Sequence, residues 1–253
     1  MNANRIEKTA GCIVIGDEIL TGKVQDSNSF VLSRMLFERG VTLKSIVVLP
    51  DLIDVIAEHV ADYSQRFDHV FTSGGIGPTH DDVTYAAVGK AFNQPLAYHS
   101  ETVERMKQSG TIRDELRPSE REARLKMALF PEECEVLSDD KSWVPMVKVS
   151  NVHILPGVPE LFERMLKRFE HLFSGPKVAR RMVCTHRSES EIAHELGCLQ
   201  GLHPTVCIGS YPKLEHPDYR VLVTLESRDV AELDHVLAKV KSAIDGFDLP
   251  KRA

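Results

Sequence analysis

Apolar runs and amphipathic segments alternate along the first two thirds of the chain. The runs Gly11 to Ile15, Leu43 to Leu49 and His69 to Thr72 have the length of buried strands, and apolar residues at helical spacing follow each of them. Alternation of this kind is typical of a sheet that is covered by helices on both faces. The pattern therefore predicts a three-layer α/β/α domain with a mostly parallel sheet over residues 1–174.

A different pattern occupies residues 175–253, where the order becomes strand, helix, strand, strand, helix. Ser188 and Glu191 form an S-x-x-E pair, which is the signature of a helix amino terminus. This order in a short segment predicts a small α+β domain with an antiparallel sheet. The sequence SGP at 174–176 marks the expected boundary between the two domains.

The segment from Asp68 to Phe92, DHVFTSGGIGPTHDDVTYAAVGKAF, joins a predicted strand to a predicted helix through a glycine-rich loop. Glycine leaves main-chain amides open to a ligand, and a helix amino terminus attracts anions. Thr79, Asp81 or Asp82 is expected to cap the helix. Many glycine-rich turns in α/β proteins bind nothing. The alternative is a phosphate-binding loop made of Ser73, Gly74, Gly75, Ile76, Gly77, Pro78 and Thr79.

The acidic pair Asp81 and Asp82 favours the phosphate-binding alternative. Carboxylates beside a bound anion would repel it unless a divalent cation lies between them, or unless they contact hydroxyl groups or ring nitrogens of the ligand. Mg²⁺ is usually held by one or two carboxylates together with substrate phosphates. The loop has neither the Gly-Lys-Ser/Thr of a Walker A motif nor a GxGxxG pattern.

Acidic and amide side chains also follow the other predicted strands. Asp17 and Glu18 stand directly after the first strand, in GDEILTG, and Asp51 follows the second. Ligands of open α/β sheets bind at these carboxyl ends of strands. Asp51 is equally well explained as the cap of the next helix. Of Asp26 and Asn28, one is expected to cap a helix and the other to be free for a ligand.

The segment ILPGVPE at 154–160 again joins a strand end, a glycine and a helix start, which makes Gly157 and Glu160 candidate ligand contacts. A tight structural turn explains these two residues almost as well. The charged run RPSEREARLKM at 117–127 is typical of a solvated helix face. The alternative for this run is a phosphate clamp by Arg121 or Arg124.

Two long motifs, SGGIGPTHDDVT and GDEILTGKVQDSNSFVLSRMLFERG, resemble the molybdopterin-binding (MoaB/MogA-like) superfamily. The resemblance is greatest to the amino-terminal domain of the competence-damage-inducible protein CinA and to the corresponding domain of eukaryotic FAD synthases. It implies that the 26–28 segment and the PGVP segment border the pocket, which Asp51 and Asp82 face together. The second domain resembles the KH-like middle domain of CinA, without a GxxG loop. Such relatives are dimers or trimers, so a homo-oligomer is expected.

The glycine loop and its acids support two functions. The first is a metal-dependent nucleotide pyrophosphatase, in which Asp82 and Asp51 bind Mg²⁺, Mn²⁺ or Co²⁺ and the loop amides hold phosphate. The catalytic candidates are Asp82, Asp51 and Asp26, and the attacking water is oriented by Asp17, Glu18 or Asp26. The resemblance implies ADP-ribose or FAD as substrate. The second function is a binding module for molybdopterin or its adenylated form, without hydrolysis.

Composition narrows the class of protein further. The 253 residues carry a net charge of −6, which argues against a nucleic-acid-binding surface as the main function. No apolar run has the length of a membrane span, and the opening MNANRIEKTA lacks the apolar region of a secretory signal. The five cysteines contain no CxxC motif and favour reduced thiols. A cytoplasmic protein with a nucleotide or pterin ligand is expected, without membrane or nucleic-acid partners.

Overall fold

The computed structural model describes residues 7–249, and the chain forms two compact units, of which the first ends at Gly175 and the second begins at Pro176. The strands of the first unit are β1 (Lys8–Ile15), β2 (Val41–Leu49), β3 (His69–Ser73), β4 (Leu96–Tyr98), β5 (Leu129–Pro131), β6 (Glu135–Asp139), β7 (Ser142–Val149) and β8 (Val152–Leu155). Its helices are α1 (Asp17–Leu20), α2 (Asn28–Glu38), α3 (Ile53–Arg66), α4 (Thr84–Ala91), α5 (Ser100–Gln108), α6 (Pro118–Lys126) and α7 (Pro159–Phe169).

Six strands of the first unit form one sheet in the order β2-β1-β3-β8-β7-β6. β1 pairs in parallel with β2 and β3, and β3 pairs in parallel with β8, whereas β7 and β6 continue the sheet in antiparallel. The predicted mostly parallel sheet is confirmed. Because four parallel strands lie side by side, the loops that follow them meet at one edge of the sheet.

Helices cover both faces of this sheet and bury two separate cores. One core, beneath α2 and α7, includes Leu32, Phe71, Leu155 and Phe162. The other core, beneath α3 and α4, includes Ile56, Val70, Val88 and Ile154. Neighbouring residues of a strand point to opposite faces, so a strand that is covered on both sides must be apolar throughout. The three-layer prediction is therefore confirmed, and the short apolar runs of the sequence are explained.

The chain between α4 and β6 forms a small insertion made of β4, α5, α6 and β5. The sequence predicts its two helices but not the antiparallel pairing of β4 with β5. The strands are only three residues each, too short to show a period in the sequence. A core of its own holds the insertion together, with Met106, Ile112 and Ala128 fully buried or nearly so.

The second unit contains β9 (Ala179–Thr185), α8 (Glu189–Leu202), β10 (Cys207–Pro212), β11 (Val221–Ser227) and α9 (Val230–Ala243). Its three strands pair in antiparallel in the order β10-β11-β9, and both helices contribute to one core. Ser188 and Glu191 form the predicted capping box at the start of α8. The small α+β fold of this unit is confirmed.

Among residues 7–249, no helix is long and apolar enough to cross a membrane.

Candidate functional site

The loop after β3 requires glycine at two positions. Gly74 and Gly75 have φ angles of +105° and +66°, which other residues rarely adopt. A Cβ atom on Gly74 would lie 2.2 Å from the carbonyl oxygen of Ile15, and one on Gly75 would lie 2.3 Å from Oγ1 of Thr84. The Thr84 hydroxyl donates to the Gly74 carbonyl at 2.8 Å. The loop is thus fixed tightly against β1 and the start of α4.

Asp82 organises the same loop from its other side. Its Oδ1 accepts the Gly77 amide at 2.6 Å, and its Oδ2 accepts the Thr79 amide at 2.8 Å and the Thr79 hydroxyl. The N-cap of α4 is Val83, and no side chain caps this helix. The prediction that Thr79, Asp81 or Asp82 caps α4 is therefore wrong. Both carboxylate oxygens of Asp82 thus accept hydrogen bonds that fix the chain between Gly77 and Thr79.

Asn28 joins three segments of the chain at the edge of the sheet. Its side chain is 6% exposed, and Nδ2 donates to Oγ of Ser73 at 2.9 Å and to the carbonyl oxygen of Gly157 at 2.8 Å. A Cβ atom on Gly157 would lie 3.2 Å from Cα of Gly74, so the two glycine segments are in contact. Asn28 therefore holds the loops after β3 and β8 together at the amino terminus of α2.

Asp26 provides the acceptor for the start of α2. Its Oδ1 accepts the amides of Asn28 at 3.0 Å and Ser29 at 3.1 Å. The first amides of a helix lack partners inside the helix, and a side-chain oxygen just before it satisfies them. The expectation that one of Asp26 and Asn28 caps the helix is met by Asp26. Asn28 is not free for a ligand through its amide nitrogen, because that atom already binds Ser73 and Gly157.

Asp51 reaches across from β2 to the loop after β1. Its Oδ2 accepts the backbone amide of Asp17 at 2.8 Å, whereas the N-cap of α3 is Leu52, which makes no side-chain cap. The interpretation of Asp51 as a plain helix cap is therefore wrong. Partial burial raises the pKa of Asp51, the Asp17 amide opposes this, and the charges of Asp17, Glu18 and Asp81 raise the pKa further. Several negatively charged carboxylates thus lie close to Asp51.

A cleft of about 80 Å³ lies between these loops. Four predicted ligand contacts and one predicted catalytic residue line it, namely Glu18, Asn28, Ser73, Gly157 and Asp26. Glu18 folds back so that its carboxylate lies 2.7 to 2.8 Å from where a Cβ of Gly16 would be.

Other predicted residues lie outside the lining of this cleft. Ile76 packs its side chain on the core beneath α3 and α4, while Pro78, Thr79 and Asp81 are exposed on the loop. Glu160 is exposed in the first turn of α7, and its neighbour Pro159 lines the cleft instead. No motif in the sequence predicted the remaining lining residues, which are Val14, Ile15, Ile19, Val24, Gln25 and Ser27.

The basic residues of the insertion divide into those that contact the loop and those that do not. The Arg124 guanidinium donates to the carbonyl oxygen of Thr111, and Arg121 is exposed. This placement favours the solvated-face interpretation over a phosphate clamp. Lys126, which was not predicted, donates from Nζ to the carbonyl oxygen of Thr79 on the glycine loop.

Metal binding by Asp82 and Asp51 stays a prediction. Across residues 7–249, no group of three or more His, Cys, Asp and Glu side chains is arranged to hold a metal ion. A site that uses one or two carboxylates, water and substrate phosphate needs no such group. The acidic crowding around Asp51 fits a cation, because a positive charge would relieve the repulsion among Asp51, Asp17 and Glu18.

The protein has an α/β fold, and its candidate ligand site lies at the edge of the sheet where the loops after the parallel strands meet. This site joins a glycine loop to several carboxylates. Residues 11–173 match the family of the probable molybdopterin binding domain, and residues 177–249 match the middle domain of FAD synthase. The first match covers more than half of the chain. The protein therefore belongs to the molybdopterin binding domain family.

Proteins similar to this chain include a probable FAD synthase and a CinA protein. A probable FAD synthase from Caenorhabditis elegans is 32% identical over 94% of this chain and 50% of its own length. A protein from Archaeoglobus fulgidus is 33% identical over 93% of this chain and 95% of its own length. The crystal structure of CinA from Thermoplasma acidophilum, a protein of unknown function, has a TM-score of 0.59 and 30% identity, and covers 66% of this chain and 98% of its own. The chain spans half the length of the nematode FAD synthases it matches.

Proposed function

We propose that the first unit is a divalent-metal-dependent hydrolase of nucleotide pyrophosphates, with ADP-ribose or FAD as its substrate. The observation that carries the proposal is the hydrogen bond from the Asp17 amide to Asp51. It places the Asp51 carboxylate, beside other acidic residues, at the sheet edge where the glycine loop lies. A divalent cation bound by carboxylates and substrate phosphates together would allow a phosphate to bind beside these acids.

Hydrolysis of such a substrate adds water across a P–O–P bond. The water oxygen bonds to one phosphorus, the bridging oxygen leaves with the other phosphate, and a base takes the proton. ADP-ribose gives AMP and ribose 5-phosphate, and FAD gives AMP and FMN. The protein must therefore hold two phosphates, orient one water molecule and accept one proton.

The loop residues suit the first of these tasks. Within the segment 74–77, the Gly74 amide donates to the Leu155 carbonyl oxygen at 3.2 Å and the Gly77 amide donates to Asp82 at 2.6 Å, so the amides of Gly75 and Ile76 are the ones assigned to phosphate. Glu18 and Asp26 both line the cleft, but Glu18 suits the second task better because Oδ1 of Asp26 already accepts two helix amides. We therefore assign the orientation of water to Glu18.

Asp51 is the best candidate to hold the cation, and Asp82 is the second candidate. When bound, a divalent cation neutralises charge on the pyrophosphate and stabilises the leaving phosphate. The raised pKa of Asp51 supports this assignment: burial is its largest cause, and the charges of Asp17, Glu18 and Asp81 raise the pKa further. Asp82 contributes mainly by shaping the loop, since both of its oxygens already accept hydrogen bonds.

A non-hydrolytic module for molybdopterin or its adenylated form is the second candidate. The family to which residues 11–173 belong favours it. Its pocket would be the same cleft, with the pterin phosphate in place of the nucleotide phosphate.

Product analysis separates the two candidates. Purified protein is incubated with ADP-ribose, FAD or adenylated molybdopterin in the presence of Mg²⁺, Mn²⁺ or Co²⁺, and nucleotides are resolved by chromatography. We expect AMP from ADP-ribose or FAD only when a divalent cation is present. Tight binding of the pterin without release of AMP from any substrate would favour the binding module.

The family resemblance also implies assembly into dimers or trimers, which we include in the proposal. Sedimentation equilibrium of the full chain measures the molar mass directly. A monomer at micromolar concentration would contradict it.

A further inference from the structure

We propose that Lys126 is a phosphate-binding residue of the candidate site and exchanges the Thr79 carbonyl for an oxygen of the bound pyrophosphate. The inference deepens the proposed function and rests on it for the identity of the substrate. It assigns a role to the insertion between α4 and β6, which otherwise packs around its own small core.

Lys126 is the last residue of α6 and lies 47 positions after Thr79 in the chain. Its ammonium group donates to the Thr79 carbonyl oxygen, while the Thr79 amide donates to Asp82 at 2.8 Å. The two backbone groups of Thr79 therefore connect Lys126 to the carboxylate that shapes the loop. A cation of the insertion is held directly against the predicted phosphate-binding segment.

The charge of Lys126 lacks a bonded counter-ion within the described part of the chain. Its one recorded contact is with a neutral carbonyl group, and no carboxylate oxygen lies within ion-pair distance of Nζ. An ammonium group has three hydrogen atoms to donate, so further acceptors can bind it. Hydrogen bonds from a cation to a phosphate oxygen are roughly twice as strong as those between neutral groups. A phosphate ligand would thus compete well for this group.

The acids around the loop make such a cation necessary for an anionic ligand. Burial raises the pKa of Asp51, and the charges of Asp17, Glu18 and Asp81 raise it further, so negative charge is concentrated at this edge of the sheet. The pKa of Asp81 is itself lowered, first by the Thr79 side chain and in part by the charges of His80 and Lys126. Lys126 is therefore close enough to act on the charges of the loop.

Calorimetric titration of the full chain with inorganic pyrophosphate tests the role of Lys126 without requiring catalysis. We compare the wild type with Lys126→Met, Lys126→Arg and, as a matched control on the same exposed helix, Arg121→Met. Lys126→Met loses one charge-assisted hydrogen bond, so its affinity for pyrophosphate should be about ten- to one hundred-fold lower than that of the wild type. Affinity should also fall less steeply with salt concentration than in the wild type, because one ionic contact is gone.

Lys126→Arg should bind within a few-fold of the wild type, and Arg121→Met should be unchanged. Equal affinity of Lys126→Met and wild type would overturn the inference. A weakened Lys126→Met that keeps the salt dependence of the wild type would also overturn it, because the lysine would then act only through the shape of the loop.

The same proteins, assayed with ADP-ribose, separate the two proposals. If pyrophosphate binding depends on Lys126 but no AMP is formed, the hydrolase fails and the lysine assignment stands. If AMP is formed with the same KM in wild type and Lys126→Met, the hydrolase stands and the lysine assignment fails. Protein that neither binds pyrophosphate nor forms AMP would overturn both.

Discussion

Asp51 accepts a hydrogen bond from the backbone amide of Asp17 at 2.8 Å, which joins the loops after two neighbouring parallel strands, β1 and β2. The bond partly compensates for the crowding of negative charge around Asp51, but the pKa of the carboxyl group is still raised by burial and by neighbouring acids. A carboxylate that is destabilised in the folded protein is a cost to stability, and function is the simplest reason to retain it.

Asp51→Asn should separate stability from function. Asparagine keeps an oxygen for the Asp17 amide and removes the repelled charge, so we expect an equal or higher melting temperature at pH 7 and loss of metal-dependent hydrolysis. The folded-state pKa of Asp51 is raised, so its penalty is present above that pKa and disappears as the pH falls and the group becomes protonated. Melting curves from pH 3 to 8 measure this, and a variant that is less stable at pH 7 would contradict it.

Asp82→Asn should perturb the loop as well as the chemistry. Asparagine offers one acceptor oxygen where Gly77 and Thr79 require two, and its amide group would face one of these donors. Loss of one such hydrogen bond costs about 1 kcal/mol, which for a unit of this size lowers the melting temperature by about 2 to 4 °C. Calorimetric titration with ADP-ribose should show weaker binding that excess cation does not restore.

The control for Asp82 is Asp81→Asn, because Asp81 is exposed and the amides of Gly77 and Thr79 donate to Asp82 instead. We expect its melting temperature to match the wild type. Equal melting temperatures of Asp82→Asn and Asp81→Asn would show that the hydrogen bonds of Asp82 do not stabilise the loop.

Asn28→Ala should loosen the three segments that meet at the cleft. The change removes two hydrogen bonds of a buried amide and leaves the Gly157 carbonyl oxygen and the Ser73 hydroxyl short of a partner. Unsatisfied buried groups cost about 1 to 3 kcal/mol each, so chemical denaturation should show a loss of at least about 1 kcal/mol. Ser27→Ala, at an exposed neighbouring position without a side-chain cap bond, is the control and should be neutral. An equal effect of the two changes would contradict the role of Asn28.

His153 should make the first unit sensitive to acid. It is buried among His69, Phe71 and Phe173, and its Nδ1 has no hydrogen-bond partner among residues 7–249. Burial, with smaller contributions from the charges of His69 and Lys148, lowers the pKa of His153 to about 3. The unfolded chain therefore binds more protons than the folded chain between this value and a pH of about 6.5.

Stability should consequently be full above pH of about 6.5 and fall as the pH decreases towards 3, by up to about 1.4 kcal/mol per pH unit for one histidine. Burial also lowers the pKa of His69, so His69 adds to the same slope. The charge of Asp68 raises the pKa of His69 and thus reduces the contribution of His69. Urea denaturation between pH 4.5 and 7.5 measures the slope. His153→Phe keeps an aromatic ring in the cluster and should reduce the slope by about one proton. An unchanged slope would contradict the assignment.

The sequence was sufficient for much of the fold and for part of the site. Apolar runs predicted β1, β2 and β3 because strands that are covered on both faces are largely apolar. The convergence of the 26–28 segment and the PGVP segment followed from the family resemblance, and Asn28 provides its physical basis. Short strands such as β4 and β6 have too few residues to show a period.

The roles of individual acids were beyond sequence reasoning. An aspartate near a helix start satisfies either helix amides or the preceding turn, and only the backbone path shows that Asp82 does the second. In the same way, Asp51 precedes a helix but binds a different loop. Lys126 is 47 residues from the loop it contacts, so no local pattern could have identified it.

The central claim is tested most directly by the rate of AMP release from ADP-ribose as a function of divalent cation concentration, for the wild type and Asp51→Asn. We predict hydrolysis by the wild type that saturates with cation and is abolished by chelation, and a variant that is folded but needs far more cation for any activity. Wild-type rates in Asp51→Asn at limiting cation, or AMP release that is unaffected by chelation, would contradict a metal-dependent site at Asp51.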